Sequence, residues 1–203
     1  MSSVRGERIG LLGGSFNPAH DGHLHISKLA LRRLRLDRVW WLVSPQNPLK
    51  STTGMAPLQE RLENARSMAA AEPHITVGDP EVGLGTRYSA DTVSALKHRY
   101  PDVRFVWIIG ADLLQEVHRW KKWRSLFRAI PIAIFARPPY PLRALSSRAA
   151  RRFAGSRINA CRAGALADLR PPAWAYLRTR RHWQSASRIR DRRNGIVPDR
   201  NQR

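Results

Sequence analysis

The chain of 203 residues has one cysteine, few acidic side chains and no long apolar run. Cys161 alone can form no internal disulfide and no cysteine-based metal cluster, which is typical of a reducing compartment. No hydrophobic run approaches the roughly 20 residues that a membrane helix needs, which excludes a spanning protein. Residues 1–7 are polar and lack the apolar core of a secretory signal. We therefore expect a cytoplasmic protein with no membrane partner.

Acidic residues are scarce relative to basic ones, at 15 against 36, for a net charge of +21. Residues 1–136 carry 19 basic and 12 acidic side chains, whereas residues 137–203 carry 17 basic and 3 acidic ones. All 17 basic residues of the second segment are arginine. Such a surface attracts polyanions without specificity, although a basic solubilising surface explains the same charge.

Short apolar runs alternate with helical patterns over the first 136 residues. Strands are predicted at residues 8–12, 39–43, 75–77, 104–109 and 132–135. Helices are predicted at residues 23–36, 57–71, 90–99 and 120–129, the first starting near Asp21. This alternation predicts an α/β fold with a doubly wound, mostly parallel sheet, whose ligands bind beyond the carboxyl ends of the strands.

Prolines interrupt the pattern after residue 135. Residues 142–153 and the start of 187–192 resemble short helices, which predicts a C-terminal helical extension of the same domain. We therefore expect one domain over residues 1–193 and a disordered basic tail over 194–203.

The turn after the first strand combines glycines with two histidines. Gly13 and Gly14 let the backbone approach a ligand closely. His20 and His23 lie three apart at a helix start, where free N–H groups form a phosphate site. Metal ligation and plain surface polarity are the alternatives, but the turn contains no third ligand at zinc spacing. It is neither a Walker loop nor a dinucleotide fingerprint.

Residues 13–24 resemble the signature of nucleotidyltransferases that carry a His-x-Gly-His motif, and within them the bacterial nicotinate-nucleotide adenylyltransferase family. Three further segments agree in order: Trp41 with residues 44–50, residues 85–92, and residues 109–112 followed by Trp120 and Trp123. The resemblance spans most of residues 8–190. It implies a Rossmann-like nucleotidyltransferase fold and adenylyl transfer from ATP, with Mg²⁺, to nicotinate mononucleotide in NAD biosynthesis.

The resemblance also implies the roles of individual residues. Its catalytic positions are His20, His23, Lys50 and Arg190. The ATP-binding positions are Gly13, Gly14, Ser15, Phe16, Gly110, Asp112 and Ser187. The positions that bind the nicotinate nucleotide are Asn47, Thr86, Tyr88 and Trp120, whose ring is expected to stack on the pyridine. No residue is assigned to a metal.

One segment departs from the family pattern. The family has Ile-Ser-Ser-Thr-x-Ile/Leu-Arg where this chain has residues 184–190. Ser187 and Arg190 are retained, whereas Ala186 has lost a hydroxyl. We expect altered contacts to the ATP phosphates.

The residues by themselves leave alternatives open. Lys50 is equally interpreted as a solvated charge, and Asp112 as a helix cap. Trp120 and Trp123, placed on one helix face, are more often core residues, and Trp107 is interpreted as packing. Transfer to nicotinamide mononucleotide or phosphopantetheine is a second hypothesis, and a basic nucleic-acid-binding protein is a third.

Overall fold

The computed structural model describes residues 6–46, 54–136 and 143–179. Within these ranges seven strands form one sheet, and every adjacent pair is parallel. The strands are β1 (Arg8–Gly14), β2 (Arg38–Val43), β3 (Ile75–Gly78), β4 (Arg104–Gly110), β5 (Ile132–Ala136), β6 (Arg157–Ile158) and β7 (Trp174–Arg178). The predicted α/β fold with a parallel sheet is confirmed.

The strand order is β3-β2-β1-β4-β5-β7-β6, so the chain winds outward in both directions from β1 and β4. Leu12 of β1 lies between Trp41 of β2 and Ile108 of β4 in register. A crevice opens where such a sheet reverses direction, beyond the carboxyl ends of the two central strands. The turn after Gly14 and the turn after Gly110 therefore meet at this crevice.

Seven α-helices lie within the described ranges. They are α1 (Asp21–Arg33), α2 (Leu58–Ala69), α3 (Pro80–Gly83), α4 (Ser89–Arg99), α5 (Ala111–Glu116), α6 (Trp123–Ala129) and α7 (Arg148–Arg152). Short 3₁₀ helices cover Val117–Arg119, Arg143–Ser146, Ala154–Ser156 and Ala160–Asp168. None of the described helices is both long and apolar enough to cross a bilayer.

The core has two layers because side chains alternate between the two faces of each strand. On one face Ile9 and Leu11 pack with residues of α4, α5, α6 and α7. On the other face Leu12 packs with α1, α2 and the 3₁₀ segment Ala160–Asp168. Both faces of the sheet are covered, as the continuous apolar strands require.

The sequence-predicted helix over 120–129 differs from the structure at its start. Helix α6 begins at Trp123, because Lys122 has a left-handed φ of 56° that interrupts the helix. Trp120 precedes it with an extended backbone, at φ −72° and ψ 140°. Trp120 and Trp123 therefore do not share a helix face, contrary to the sequence interpretation.

The region after residue 135 contains strands in addition to the predicted helices. β7 pairs with β5 and β6 pairs with β7, so residues 143–179 extend the same sheet. The pattern missed them because β6 is only two residues long and β7 directly follows a Pro-Pro turn. The helix predicted to begin at 187 and the tail 194–203 lie outside the described residues, and the single domain over 1–193 stays a prediction.

Candidate active site

Gly13 and Gly14, where the sequence predicted a turn, are the last residues of β1 and pair with β2, and they form part of the wall of a pocket. A Cβ atom added to Gly13 would lie 3.1 Å from ring atoms of Trp107 on β4, closer than ordinary packing. Gly13 therefore makes room for the Trp107 ring, which is only 3% exposed and lines the same pocket. The glycine at this position has a packing reason in addition to the expected approach of a ligand.

Phe16 anchors this turn in an unusual backbone conformation. Its φ is 46°, in the left-handed region that a bulky residue rarely adopts. Its ring is buried, stacks on Trp41 at a centroid distance of 5.1 Å and lies 4.5 Å from His23. Aromatic packing thus holds the turn directly before α1, and Phe16 does not line the pocket that Gly13 and Trp107 share.

His20 and His23 form a reciprocal cap at the start of α1. The backbone N–H of Gly22 donates to Nδ1 of His20 at 3.0 Å, and the backbone N–H of His20 donates to Nδ1 of His23 at 3.2 Å. A nitrogen that accepts such a bond carries no hydrogen, so the neutral rings carry theirs on Nε2. The hydrogen-bond pattern therefore assigns both histidines as Nε2–H donors, with their rings 4.0 Å apart.

Buried groups behind the cap hold His23 in place. The hydroxyl of Ser27 donates to the carbonyl of His23 at 2.8 Å, and Nε1 of Trp41 donates to that hydroxyl at 2.8 Å. Ser27 and Trp41 are both fully buried. A satisfied polar chain of this kind fixes the orientation of the groups that it supports.

A pocket of about 270 Å³ opens at the carboxyl ends of β1, β2 and β4. It joins segments that are far apart in the chain. Its lining residues are Gly13, Gly14, Ser15, Ser44, Glu81, Arg87, Tyr88, Ser89, Trp107, Leu113, Arg119, Trp120 and Lys121. The predicted ATP-binding residues 13–15 and the predicted acceptor residues Tyr88 and Trp120 therefore share one cavity.

Positive charge surrounds the aromatic part of this pocket. The ammonium group of Lys121 lies 4.7 Å from the ring centroid of Tyr88, a cation–π contact. Arg87 and Arg119 also line the cavity, and all three cationic side chains belong to exposed residues. The pocket is thus suited to an aromatic ligand that carries negative charge.

Thr86 organises the adjacent loop. Its hydroxyl is 2.9 Å from the hydroxyl of Thr92, and its backbone N–H donates to the carbonyl of Glu81 at 2.9 Å. Its neighbour Arg87 lines the pocket, whereas Thr86 itself does not. The structure therefore places Thr86 behind the loop that presents Tyr88.

Glu81 is the carboxyl group of the cavity wall. Ser44 donates its hydroxyl to Oε2 of Glu81 at 2.9 Å. Burial raises the pKa of the Glu81 carboxyl, and the hydrogen bond from Ser44 lowers it part of the way back. This contact links the loop after β2 to α3.

The remaining predicted residues divide into two groups. Gly110 ends β4 and Asp112 lies in the first turn of α5, both at the carboxyl edge of the sheet but outside the lining of the 270 Å³ pocket. His20 and His23 also lie outside that lining, on the segment that follows pocket-lining Ser15. Four predicted positions lie outside the described residues: Asn47, Lys50, Ser187 and Arg190.

Sequence reasoning missed several lining residues. Trp107, interpreted as packing, also forms part of the pocket wall. Ser44 had a usable signal, because it directly follows the carboxyl end of a predicted strand. No sequence signal pointed to Glu81, Arg119 or Lys121. Their positions in the pocket wall depend on how α3 and the 3₁₀ segment before Trp120 pack at the edge of the sheet.

Metal-ligating side chains do not cluster at this edge. Within residues 6–46, 54–136 and 143–179, no three histidine, cysteine, aspartate or glutamate side chains are grouped to hold a metal ion. The described residues therefore do not fit a resident metal centre.

Doubly wound parallel sheets of this kind bind nucleotides at the carboxyl edge, where this pocket lies, so the fold and the site are those of a nucleotide-binding α/β protein. A family model described as cytidylyltransferase-like matches residues 11–192. The chain belongs to this cytidylyltransferase-like family, in the branch whose named members are probable nicotinate-nucleotide adenylyltransferases.

Two relatives illustrate the similarity. The chain is 50% identical over 187 residues to the probable nicotinate-nucleotide adenylyltransferase of Parvibaculum lavamentivorans, covering 92% of each chain. It is 52% identical over 185 residues to that of a strain of Methylorubrum extorquens, covering 91% of this chain and all of the relative.

A solved structure shares the fold. The nicotinic acid mononucleotide adenylyltransferase of Plasmodium falciparum, complexed with NaAD, aligns with a TM-score of 0.70. The alignment covers 94% of this chain and 88% of that one, at 15% identity. At this identity the likeness concerns the fold alone.

Proposed function

We propose that this protein transfers the adenylyl group of ATP to nicotinate mononucleotide, forming nicotinate adenine dinucleotide and pyrophosphate. The observation that carries this proposal is the pocket that joins Gly13 and Gly14, at the end of β1, to Tyr88 and Trp120. Membership of the adenylyltransferase branch, at 50% and 52% identity over most of the chain, supports the same reaction.

The reaction needs no covalent nucleophile from the protein. A phosphate oxygen of nicotinate mononucleotide forms a bond to the α-phosphorus of ATP, and the bond from that phosphorus to the bridging oxygen of pyrophosphate breaks. The attacking phosphate is already ionised, so catalysis consists of positioning and of stabilising the charge on the transferring and leaving phosphates.

The start of α1 supplies the groups for the phosphates of ATP. His20 and His23 carry their hydrogens on Nε2 and donate to phosphate oxygens, in the field of the helix N-terminus. Asp112 accepts hydrogen bonds from ribose hydroxyls at the end of β4. Contacts of the same phosphates with Lys50, Ser187 and Arg190 remain predictions.

The aromatic part of the pocket receives the acceptor nucleotide. Trp120 stacks on the pyridine ring, and Tyr88 forms the neighbouring wall. Lys121, Arg87 and Arg119 favour a ring that bears a carboxylate over one that bears a neutral amide, because they add positive potential there. The predicted contact of Asn47 with the acceptor nucleotide remains a prediction.

A divalent ion, for which we propose Mg²⁺, enters with ATP as part of the substrate, since the described residues form no site of their own for it. Such an ion neutralises phosphate charge when bound. The chain's own contribution is to orient the two nucleotides. The cytoplasmic location stays a prediction.

Pyrophosphate release from ATP and Mg²⁺ tests the proposal with three acceptors: nicotinate mononucleotide, nicotinamide mononucleotide and phosphopantetheine. A strong preference for the first is expected. A preference for another acceptor would overturn the assignment of Tyr88 and Trp120 but keep the transferase. No release with any acceptor, from protein shown to be folded, would overturn the transferase itself.

We also propose weak, nonspecific polyanion binding by the arginine-rich segment. Every arginine in residues 143–179 is exposed, and such a surface binds nucleic acid through phosphate contacts. Binding to a labelled DNA oligonucleotide should weaken steeply as salt rises. Binding that is insensitive to salt, or no binding at low salt, would contradict this property without touching the transferase.

A further inference from the structure

Arg61 of α2 is buried, with 2% of its surface exposed, and is bonded only to carbonyl oxygens in the described part of the chain. Its Nε donates to Ala56 at 2.9 Å, and Nη2 donates to Pro45 at 2.9 Å. Its Nη1 donates to Ser15 at 2.6 Å and to Ser44 at 2.8 Å. One guanidinium group thus binds three separate chain segments.

Two of these segments form the pocket wall. Ser15 belongs to the turn after β1 and Ser44 follows β2, and both line the pocket. Pro45 follows Ser44 and leads toward the segment that contains the predicted residues Asn47 and Lys50. Arg61 therefore bridges the two loops that line this part of the pocket.

Neighbouring amides strengthen the same junction. The side chain of Asn17 donates to the carbonyl of Gly54 at 3.0 Å and accepts from the backbone N–H of Ala56 at 3.2 Å. The side chain of Asn64, on α2, accepts from the backbone N–H of Ala19 at 2.9 Å. The turn after β1 is thus fastened to α2 on both sides of Phe16.

Helix packing alone does not explain an arginine at this position. Burying a charge is unfavourable unless it is fully hydrogen-bonded, and desolvation accordingly lowers the pKa of Arg61. An apolar side chain would fill the space without this cost. Only the planar, forked guanidinium can bond all four carbonyl oxygens at once, and it keeps its charge at any working pH.

We propose that Arg61 is a positioning residue, which holds the turn after β1 and the loop after β2 in the arrangement that binds nucleotide phosphates. It acts through Ser15 and Ser44 and touches no substrate. It also neutralises the partial negative charge of their carbonyl oxygens, which would otherwise repel a polyphosphate. This inference rests on the proposed transferase function.

Three substitutions test the role. Arg61→Lys keeps the charge but has three donors on one nitrogen and cannot bond all four carbonyl oxygens. Arg61→Met removes the charge, and Arg61→Ala leaves space for an added guanidinium ion. Arg66→Met, on the exposed side of the same helix, is the matched control. We measure kcat and KM for ATP and for nicotinate mononucleotide at a temperature at which each variant is folded.

We expect kcat/KM to fall roughly 10²-fold in Arg61→Lys and Arg61→Met, the scale of a small misplacement of reacting groups. The KM for ATP should rise, which a loss of folded protein alone would not produce. Guanidinium ions should restore part of the activity of Arg61→Ala and leave Arg66→Met unchanged. If Arg61→Met does not fold, the lysine variant decides.

Wild-type kcat and KM per folded molecule in Arg61→Lys, with only a lower melting temperature, would overturn the positioning role. The shift in melting temperature caused by a non-hydrolysable ATP analogue separates the two proposals. If the wild-type chain releases no pyrophosphate but shows this shift, the transferase fails, while loss of the shift in Arg61→Lys still supports positioning. No shift in the wild-type chain overturns both.

Discussion

Substitution of His23 by alanine, glutamine or glutamate separates the two tasks that the structure assigns to this side chain. Its Nδ1 accepts the backbone N–H of His20 at 3.2 Å and thereby caps α1. Its Nε2–H is the proposed donor to the ATP phosphates. Alanine removes both groups, glutamine keeps an acceptor and a donor, and glutamate keeps only the acceptor.

The two losses have different magnitudes. Loss of the cap should lower the free energy of unfolding by about 1 kcal/mol, which corresponds to a melting temperature lower by roughly 2–4 °C for a protein of this size. Truncation adds to this, because the ring packs 4.0 Å from His20 and 4.5 Å from Phe16. Loss of one donor to developing charge should lower kcat about 10²-fold to 10³-fold.

Pyrophosphate release measures kcat, and thermal denaturation measures stability, for all three variants. His23→Ala should lose both. His23→Gln should keep most of the stability and part of the turnover. His23→Glu should keep the stability, since a carboxylate is favourable in the first turn of a helix, and lose at least as much turnover as alanine.

The glutamate variant is the decisive one. If His23→Glu is as stable as the wild type and turns over at the same rate, His23 is a cap and not a phosphate donor. If His23→Ala keeps normal turnover, the donor role fails as well. A His23→Glu variant as unstable as the alanine variant would contradict the assigned cap.

Three further outcomes follow from the pocket. The raised pKa of Glu81 means that the folded chain binds its proton more tightly than the unfolded chain, so the free energy of unfolding should fall as pH rises above the ordinary value of 4.5. Glu81→Gln should flatten this fall of stability with pH, and Ser44→Ala should extend it to higher pH. Urea denaturation at several pH values measures the free energy of unfolding of the wild type and both variants. Equal pH dependence in all three would refute the assignment of the raised pKa to Glu81. Trp120→Ala should raise the KM for nicotinate mononucleotide roughly 10-fold through loss of stacking and change the KM for ATP little, and the reverse pattern in steady-state kinetics would place Trp120 at the other substrate. Gly13→Ala should destabilise the chain by about 1–3 kcal/mol because its Cβ would press on the Trp107 ring, and an unchanged melting temperature would contradict that contact.

Much of the fold was predictable because it is encoded locally. The central strands are continuous apolar runs, and the predicted strand over 104–109 matches β4 (Arg104–Gly110) to within one residue. β6 and β7 were not predictable, because a two-residue strand has no period and β7 depends on pairing with β5. The start of α6 was missed for a similar reason, since no pattern signals the left-handed Lys122.

Much less of the candidate site could be predicted. The sequence motif located the turn after β1, and the structure places residues 13–15 and Tyr88 in one pocket. Arg61 gave no signal, because an arginine in an amphipathic helix is ordinarily an exposed charge. Its burial follows from three loops that converge on α2 only in the folded chain.

By itself the sequence determined the parallel α/β architecture and the family, and it located the segment of glycines and histidines after the first strand, since periodicity and motif spacing are properties of neighbouring residues. Only the tertiary structure decided which side chains meet. It assigned the ring hydrogens of His20 and His23 to Nε2 and placed Trp120 outside a helix. It also brought the guanidinium group of Arg61 within hydrogen-bond distance of the carbonyl oxygen of Ser15. These features depend on contacts between residues far apart in the chain, and such contacts form only when the strands pair and the helices pack on them.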